Sequence, residues 1–391
     1  MKKTIWIIVI CLCLFAALAA WALSRGASEP APGPGETPEP AETAAAAAPI
    51  RHVDMEKLRK AYDRDAVYAR IGEREITWGE YYDLLGVDIV GLESYMNEYA
   101  SPDNAVGWDS ITSDGDSLAA QVVDELNDTL RIYAALDSLA AEHGAEISEE
   151  ELDARIAEYR TEAVGANGSD EAWTAWLSKN FVSEGIFRRN IRYTMIYSRL
   201  PELLYGAGGE KLSAARLQHF IEDQDLMRFR FLCFLTSDPV TGAALDPAEA
   251  DAIRVRAEET VGLLLEEETK DARLAAFDAA VEALQAEDAD RFYGAEYVTS
   301  AAALPDLYVN ALRPLKDYDY QMSGLTSDDY GIYLFLRLPV EASSVLADGT
   351  TVGAQAAHAA FSELLQEEME NCHFVCAEGC APIDLLSWLE D

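Results

Sequence analysis

The densest group of possible metal or redox ligands lies near the C-terminus, where three thiols and one imidazole occur within nine residues. They are Cys372, His373, Cys376 and Cys380. Zinc knuckles use C-x2-C pairs, and this spacing departs from that pattern, so the sequence predicts no metal and no cofactor. Thiols outside the cytoplasm more often form disulfides. Cys372, Cys376 and Cys380 are therefore disulfide candidates, whereas Cys233, in an apolar run, is interpreted as a buried hydrophobe. Free buried thiols and a metal site are the alternatives.

Histidine, the side chain best suited to proton transfer at neutral pH, is absent between His219 and His358. No serine has a histidine or lysine at an informative spacing, which leaves a hydrolase unsupported. Glycine-rich phosphate loops are absent, and the acid-rich runs lack the spacing of a calcium-binding loop. The sequence accordingly assigns no catalytic residue and no substrate-binding residue.

Acidic side chains dominate the chain, which has 70 Asp and Glu against 30 Lys and Arg and a net charge of −40. Residues 1–25 contain three basic residues and no acidic one, so residues 26–391 carry −43. Such a surface repels phosphate groups, which excludes nucleic acid as a partner and disfavours anionic lipid. It is compatible with weak attraction of basic, unfolded polypeptides.

The N-terminus is typical of a membrane-targeting segment. Two lysines precede the uncharged residues 4–23, which as a helix would span about 30 Å, the thickness of the hydrocarbon core. Because basic residues stay in the cytoplasm, the rest of the chain is expected on the extracytoplasmic face of the cell membrane. Residues 1–25 are interpreted as a signal anchor, or as a signal peptide whose cleavage would secrete the protein. Residues 26–50, rich in Pro, Ala and Glu, are expected to form an extended tether.

The remaining sequence indicates a mostly helical α+β fold in three parts. Residues 51–225 are expected to form a helical domain that begins with two short strands around the Gly72-Glu73 turn. Residues 226–341 alternate between strand and helix patterns and are expected to form an α+β insert. Residues 342–391 contain a helix and a tail that return to the helical domain.

Local signals place several helix starts. Thr77 with Glu80, and Ser148 with Glu151, have the spacing of capping boxes. Residues 246–249 combine a capping aspartate, a first-turn proline and an acidic residue, which predicts a further helix start.

Periodicity predicts the elements of the α+β insert. A helical pattern over 247–286 is expected to break near 268–271. The apolar runs 227–236 and 330–338 predict two buried strands. Residues 287–325 show no single pattern apart from a short helix.

Four passages of the sequence carry a family resemblance: the turn and helix at 69–80, the helices at 147–156 and 171–200, and the segment 227–340. They resemble extracytoplasmic foldases of the PrsA and SurA type, whose helical chaperone part also resembles that of trigger factor. The segment 227–340 looks like a parvulin domain. The resemblance implies a SurA/trigger-factor-like helical domain with an inserted, degenerate parvulin-like α+β domain.

The parvulin family is associated with paired histidines on neighbouring strands, and this chain has other residues at the matching positions. The first-strand histidine would fall near Phe231 and the closing-strand histidine at Tyr333. The family's Gly-Gly-Asp-Leu-Gly loop is matched only in part, by Gly294 within residues 292–297. The resemblance thus implies a parvulin-like domain without isomerase activity, whose two apolar strands lie side by side in one sheet.

The implied function is a membrane-tethered extracytoplasmic chaperone that binds unfolded or newly secreted polypeptides. An active peptidyl-prolyl cis-trans isomerase and a non-chaperone surface scaffold of the same architecture are the alternatives. Chaperoning requires exposed apolar surface, and aromatic residues of the helical part are candidates for it, with ordinary core packing as the alternative interpretation. These candidates are Trp78, Tyr81, Tyr82, Trp108, Trp173, Trp176 and Tyr193.

Overall fold

The computed structural model describes residues 51–99, 107–112, 115–180 and 182–390. The described residues form two compact units: one runs up to Leu200 and resumes at Phe361, and the other is Pro201–Ala360. The membrane segment and tether expected within residues 1–50 lie outside the described residues. Within the described ranges, no helix is long and apolar enough to cross a membrane. The predicted insert, 226–341, falls inside the bounds of the second unit, and the predicted domain limits stay predictions.

The predicted α+β fold with a majority of helix is confirmed. The helices are α1 (Met55–Arg59), α2 (Trp78–Tyr99), α3 (Leu118–His143), α4 (Glu149–Val164), α5 (Asp170–Lys179), α6 (Glu184–Tyr205), α7 (Ala214–Asp223), α8 (Pro247–Leu265), α9 (Lys270–Glu287), α10 (Asp306–Leu312) and α11 (Val352–Asn371). The strands are β1 (Val67–Ile71), β2 (Arg74–Thr77), β3 (Leu226–Leu235), β4 (Phe292–Ser300), β5 (Thr326–Ser327), β6 (Gly331–Leu338) and β7 (Phe374–Cys376).

Capping explains where the helices of the first unit begin. The predicted capping box of α4 is confirmed: Ser148 Oγ accepts from the Glu151 N–H, and the Glu151 carboxylate accepts from the Ser148 N–H. At α2, Thr77 Oγ1 accepts from the Glu80 N–H at 3.2 Å. The Glu80 carboxylate, however, lies 2.6 Å from the Arg74 guanidinium. The predicted bond from the Thr77 N–H to the Glu80 carboxylate was therefore wrong, because a charged donor binds a carboxylate more strongly than a backbone N–H does.

A three-stranded sheet, in the order β2-β1-β7, joins the early and late parts of the first unit. β1 and β2 form the predicted hairpin, and Gly72 in its turn has a φ of +57°, which favours glycine. β7 pairs antiparallel with the other side of β1. The Asp54 N–H also donates to the Trp388 carbonyl at 2.8 Å, and the Glu390 N–H donates to the His52 carbonyl at 2.8 Å. The C-terminal tail is therefore part of the fold of this unit.

Two polar side chains are held inside the first unit. Arg74 binds the Glu80 carboxylate, the Tyr193 hydroxyl at 2.6 Å and the Asp137 carboxylate at 3.2 Å. Asp88 of α2 is largely buried, and that burial raises its pKa to about 7, with the negative charge of Glu125 on α3 acting in the same direction. Asp88 is therefore partly protonated at neutral pH.

The second unit is built on an antiparallel sheet in the order β4-β3-β6-β5. Because β3 and β6 are neighbours, the prediction that the two apolar strands lie side by side is confirmed. Their register pairs Phe231 with Phe335 and Cys233 with Tyr333. β4 and β5 form the two edges of the sheet.

Side chains alternate between the two faces of this sheet. Leu232, Phe234 and Leu334 are fully buried on the face that α8 and α9 cover. The opposite face carries Met227, Phe229, Phe231 and Cys233 of β3 together with Tyr333 and Phe335 of β6, and α10 covers it in part.

The helices of the second unit begin as the sequence predicts. Asp246 caps α8 through a bond from the Ala248 N–H at 2.9 Å, with Pro247 in the first turn. Thr269 caps α9 through the Ala272 N–H. The predicted break near 268–271 is therefore confirmed.

Candidate functional site

The sheet face that lies opposite α8 and α9 is the candidate functional site, and we call it the aromatic face. It consists of Phe231, Tyr293, Tyr297, Tyr308, Tyr333 and Phe335.

The centre of the aromatic face contains the two residues that stand where the resemblance implied histidines. Phe231 and Tyr333 are 6% and 5% exposed, on adjacent strands and on the same face. Tyr308 of α10 packs over this centre, with its ring centroid 5.2 Å from that of Tyr333 and 4.9 Å from that of Phe335. Aromatic packing therefore occupies the place that the imidazoles would take.

The edge of the aromatic face is open to solvent. Tyr293 and Tyr297 of β4 are 46% and 42% exposed. Their ring centroids lie 5.5 and 5.6 Å from that of the buried Phe231, and their hydroxyls are 3.4 Å apart. The two tyrosines thus extend the buried aromatic cluster into an accessible surface.

Residues 292–297 are not a loop, so the partial match to the family's glycine-rich loop was wrong. They belong to β4, which pairs with β3 without a register break from Phe292 to Ser300. Gly294 is needed because a Cβ there would lie 2.6 Å from the Val281 side chain of α9. The glycine therefore permits close packing of helix on strand.

The hydroxyl at the centre of this face, that of Tyr333, is committed to local structure. The Tyr333 hydroxyl donates to Asp328 Oδ1 at 3.0 Å. The same oxygen accepts from the N–H groups of Tyr330 and Gly331 at 2.9 and 3.1 Å. Asp328 therefore fixes the turn between β5 and β6.

Proton transfer near neutral pH is not available from the phenols and the thiol beside this centre. Burial raises the pKa of Tyr333, and the neighbouring Cys233 and Asp328 add to the shift. Burial, with the charge of Asp328, raises the pKa of Cys233 to about 12, and burial also raises the pKa of Tyr308. A protonated, buried thiol is a poor nucleophile. The arrangement offers apolar stacking and hydrogen-bond donors.

The aromatic candidates in the helical part belong mainly to the core. Trp78, Tyr81, Trp108, Trp173 and Tyr193 are at most 4% exposed, so the core-packing interpretation is confirmed for these five. The other two candidates are half-buried. Sequence reasoning instead missed the tyrosines of β4, whose only signal was their spacing of four residues on one strand face.

The four cysteines of the described residues are free thiols, and the disulfide prediction stays a prediction. Cys372 is buried at the end of α11, Cys376 lies on β7 opposite Ala69, and Cys380 Sγ is 3.9 Å from the Val67 carbonyl. Burial raises the pKa of the Cys372 and Cys376 thiols. In the described part of the chain, no three His, Cys, Asp or Glu side chains are grouped to hold a metal ion.

No protein-family model matches the chain, and no curated protein matches it. Solved structures to which it is similar include PrsA from Bacillus subtilis, at 14% identity and a TM-score of 0.20, covering 79% of this chain and 93% of that one. Another belongs to the SurA-like chaperones PEB4 and Cj1289 of Campylobacter jejuni, at 13% identity and a TM-score of 0.22, with coverage of 80% and 100%. The peptidylprolyl isomerase PrsA from Bacillus anthracis has 13% identity and a TM-score of 0.24, with coverage of 62% and 96%.

Proteins of the PrsA and SurA type, which the sequence motifs resemble, are thus among the solved structures to which this chain is similar. Identities of 13–14% and TM-scores of 0.20–0.24 are too low to transfer an activity to this chain.

Proposed function

We propose that this protein is a membrane-tethered extracytoplasmic chaperone that binds unfolded or newly secreted polypeptides on the aromatic face and does not isomerise prolyl bonds. The observation that carries the proposal is the exposure of Tyr293 and Tyr297 beside the buried Phe231. In this proposal residues 1–25 anchor the chain and residues 26–50 space the body from the membrane.

Exposed tyrosines suit the binding of many different sequences. Each combines a large apolar ring with a hydroxyl that bonds to water or to a peptide group, and loses little conformational entropy on binding. A contiguous aromatic surface marks a binding site more often than single exposed apolar residues do. The net charge of −40 favours basic segments of unfolded chains and disfavours acidic ones.

The same residues support the proposal that the protein does not isomerise prolyl bonds. Rotation of an X–Pro bond crosses a barrier of about 20 kcal/mol, and the parvulin family is associated with paired histidines at this place. At the centre of the aromatic face, Phe231 provides no polar group. The Tyr333 hydroxyl is already donated to Asp328.

The test compares the full chain in detergent in two assays: suppression of aggregation of a reduced, unfolded protein, and refolding of a protein limited by prolyl isomerisation. The double variant Tyr293→Ser/Tyr297→Ser should lose most of the aggregation suppression. The matched control is Tyr318→Ser, because Tyr318 is 60% exposed in the same unit but is not part of the aromatic face. Refolding rates should equal the uncatalysed rate.

Three outcomes would contradict the proposal. Equal suppression by the double variant and the control would remove the aromatic face from client binding. Acceleration of proline-limited refolding well above background would identify an isomerase. Inertness of the unaltered chain in both assays would favour the surface scaffold.

A further inference from the structure

The hydrogen bonds of β4 show which of its backbone groups point away from the sheet. The Leu235 N–H donates to the Arg291 carbonyl, and the Ala301 N–H donates to the Asp225 carbonyl. Antiparallel pairs alternate between those that exchange hydrogen bonds and those that do not. With the observed register, odd-numbered residues of β4 bond to β3, and the N–H and C=O groups of Gly294, Glu296 and Val298 point outward.

The outward groups of Gly294 and Glu296 form an open strand edge, whereas Val298 is buried in a cluster with Leu226. Among the described residues, no recorded hydrogen bond uses the backbone of Gly294, Glu296 or Val298. Glu296 is exposed when the whole residue is considered. Its side chain alone, which is paired with Arg228 and Arg230, is only 31% exposed. Its main chain therefore contributes to the accessible surface.

β4 also lacks the features that normally protect a sheet edge. The other edge strands of the described sheets are short: β2 has four residues, β7 three and β5 two. β4 has nine residues, no lysine, no proline and no bulge. Its one charge, on Glu296, is neutralised by the two arginines of β3. Natural proteins shorten, charge, kink or cover such an edge, because it otherwise pairs with other chains.

The side chains next to this edge define what would pair with it. A strand added to β4 would alternate its own side chains between the two faces of the sheet. Those on one side would lie beside Tyr293 and Tyr297, where apolar or aromatic groups pack favourably. A second copy of this chain is disfavoured, because residues 26–391 of each copy carry −43 and repel each other.

We propose that the outer edge of β4 binds an extended segment of an unfolded, neutral or basic polypeptide by strand addition, with alternate apolar side chains of that segment on Tyr293 and Tyr297. This inference rests on the proposed function and adds its mode of recognition: the backbone provides affinity for any sequence, and the tyrosines select apolar residues at every second position.

The decisive variant is Glu296→Pro in the full chain held in detergent. Proline removes one outward N–H and obstructs the edge, while leaving the bonds of the neighbouring odd-numbered residues to β3 in place. The matched control is Glu296→Ala, which loses the same ion pairs with Arg228 and Arg230 but keeps the N–H. The probe is a labelled basic peptide of about ten residues, the length of a strand, with alternating valine and polar residues.

We expect Glu296→Pro to weaken peptide binding about tenfold relative to Glu296→Ala, which corresponds to the loss of one or two backbone hydrogen bonds. Two measurements on the unaltered chain do not depend on the folding of a variant. The amides of residues 294 and 296 should exchange hydrogen more slowly when peptide is added. N-methylation of the peptide at one set of alternate amides should abolish binding, whereas methylation at the other set should be tolerated.

Equal affinities of the two variants, or equal binding of both methylated peptides, would overturn strand addition. The same amides could instead be protected without peptide, in a dimer that Glu296→Pro dissociates. That result would assign the edge to a second copy of the chain and would also overturn strand addition of a client. If Glu296→Pro suppresses aggregation as well as the control does, the proposed chaperone function survives and only the edge inference fails. If the unaltered chain neither binds the peptide nor suppresses aggregation, the proposed function itself fails.

Discussion

Asp88 should make the first unit lose stability as the pH rises from about 4 to about 7. An aspartate in an unfolded chain has a pKa of about 3.9, whereas burial raises the pKa of Asp88 in the folded protein to about 7. Between these values the folded state binds one proton more than the unfolded state. The favourable contribution is therefore complete below about pH 4 and is lost as the pH rises to about 7.

The size of the effect follows from the shift. About three pKa units at about 1.4 kcal/mol each give an upper limit of about 4 kcal/mol, and the residual exposure of the side chain reduces it. Asp88→Asn keeps the size and the polarity of the side chain but does not titrate. The variant and the unaltered protein should be equally stable near pH 4, and the variant should be more stable by about 2–4 kcal/mol at pH 8.

Urea unfolding at a series of pH values measures this difference. Tryptophan fluorescence reports on the first unit, because all tryptophans after residue 50 lie within its bounds. Glu125→Gln removes the neighbouring like charge. It should also make the protein more stable than the unaltered chain at pH 8, by a smaller amount than Asp88→Asn does. Asp65→Asn, at an exposed position of the same unit, is the matched control. A stability difference for Asp88→Asn that is constant from pH 4 to pH 8 would refute the reasoning.

Three further predictions follow from contacts described above or from close backbone approaches. Arg74→Met should lower the free energy of unfolding of the first unit by about 2 kcal/mol, because the Arg74 site is only 22% exposed. Without the arginine, Glu80 would keep only the longer contact to Arg189, and Asp137 only the Tyr193 hydroxyl. Urea unfolding followed by tryptophan fluorescence checks this, and an unchanged midpoint would contradict it. Cys233, with its raised pKa and 4% exposure, should resist alkylation in the native protein at pH 8 until unfolding, as mass spectrometry of digests would show. Gly353→Ala should destabilise the second unit by about 2 kcal/mol or more, because a Cβ there would meet the Gly208 carbonyl. Hydrogen exchange of the β3 amides measures this loss of stability. Unchanged protection of those amides would refute the prediction.

Local signals in the sequence were sufficient for many elements. Caps at Ser148 and Asp246, and the apolar runs that became β3 and β6, are determined by residues close together in the chain. Such signals act through the backbone within a few residues, so they can be recognised without the tertiary structure.

The sequence did not reveal β4 or its role. Its glycine and its partly exposed tyrosines resemble a loop, because an edge strand is only half-buried and its alternation is weak. The burial of Trp78 and Trp108 could not be predicted from the sequence either, because tryptophan is typical of both cores and binding surfaces. In the same way, the bond from Tyr333 to Asp328 depends on the geometry of a turn that no spacing rule describes.

The pairing of β7 with β1 determines the order in which the chain can complete its structure during synthesis. The Tyr68 hydroxyl donates to the Ala381 carbonyl although the two residues are 313 positions apart. At about 5–20 residues per second, a ribosome needs roughly 15–60 s to add the intervening residues. Until β7 is made, β1 has an unoccupied edge, whereas the contiguous residues 201–360 are all made before β7. The second unit is thus able to mature first, and the first unit closes only when its last strand is made.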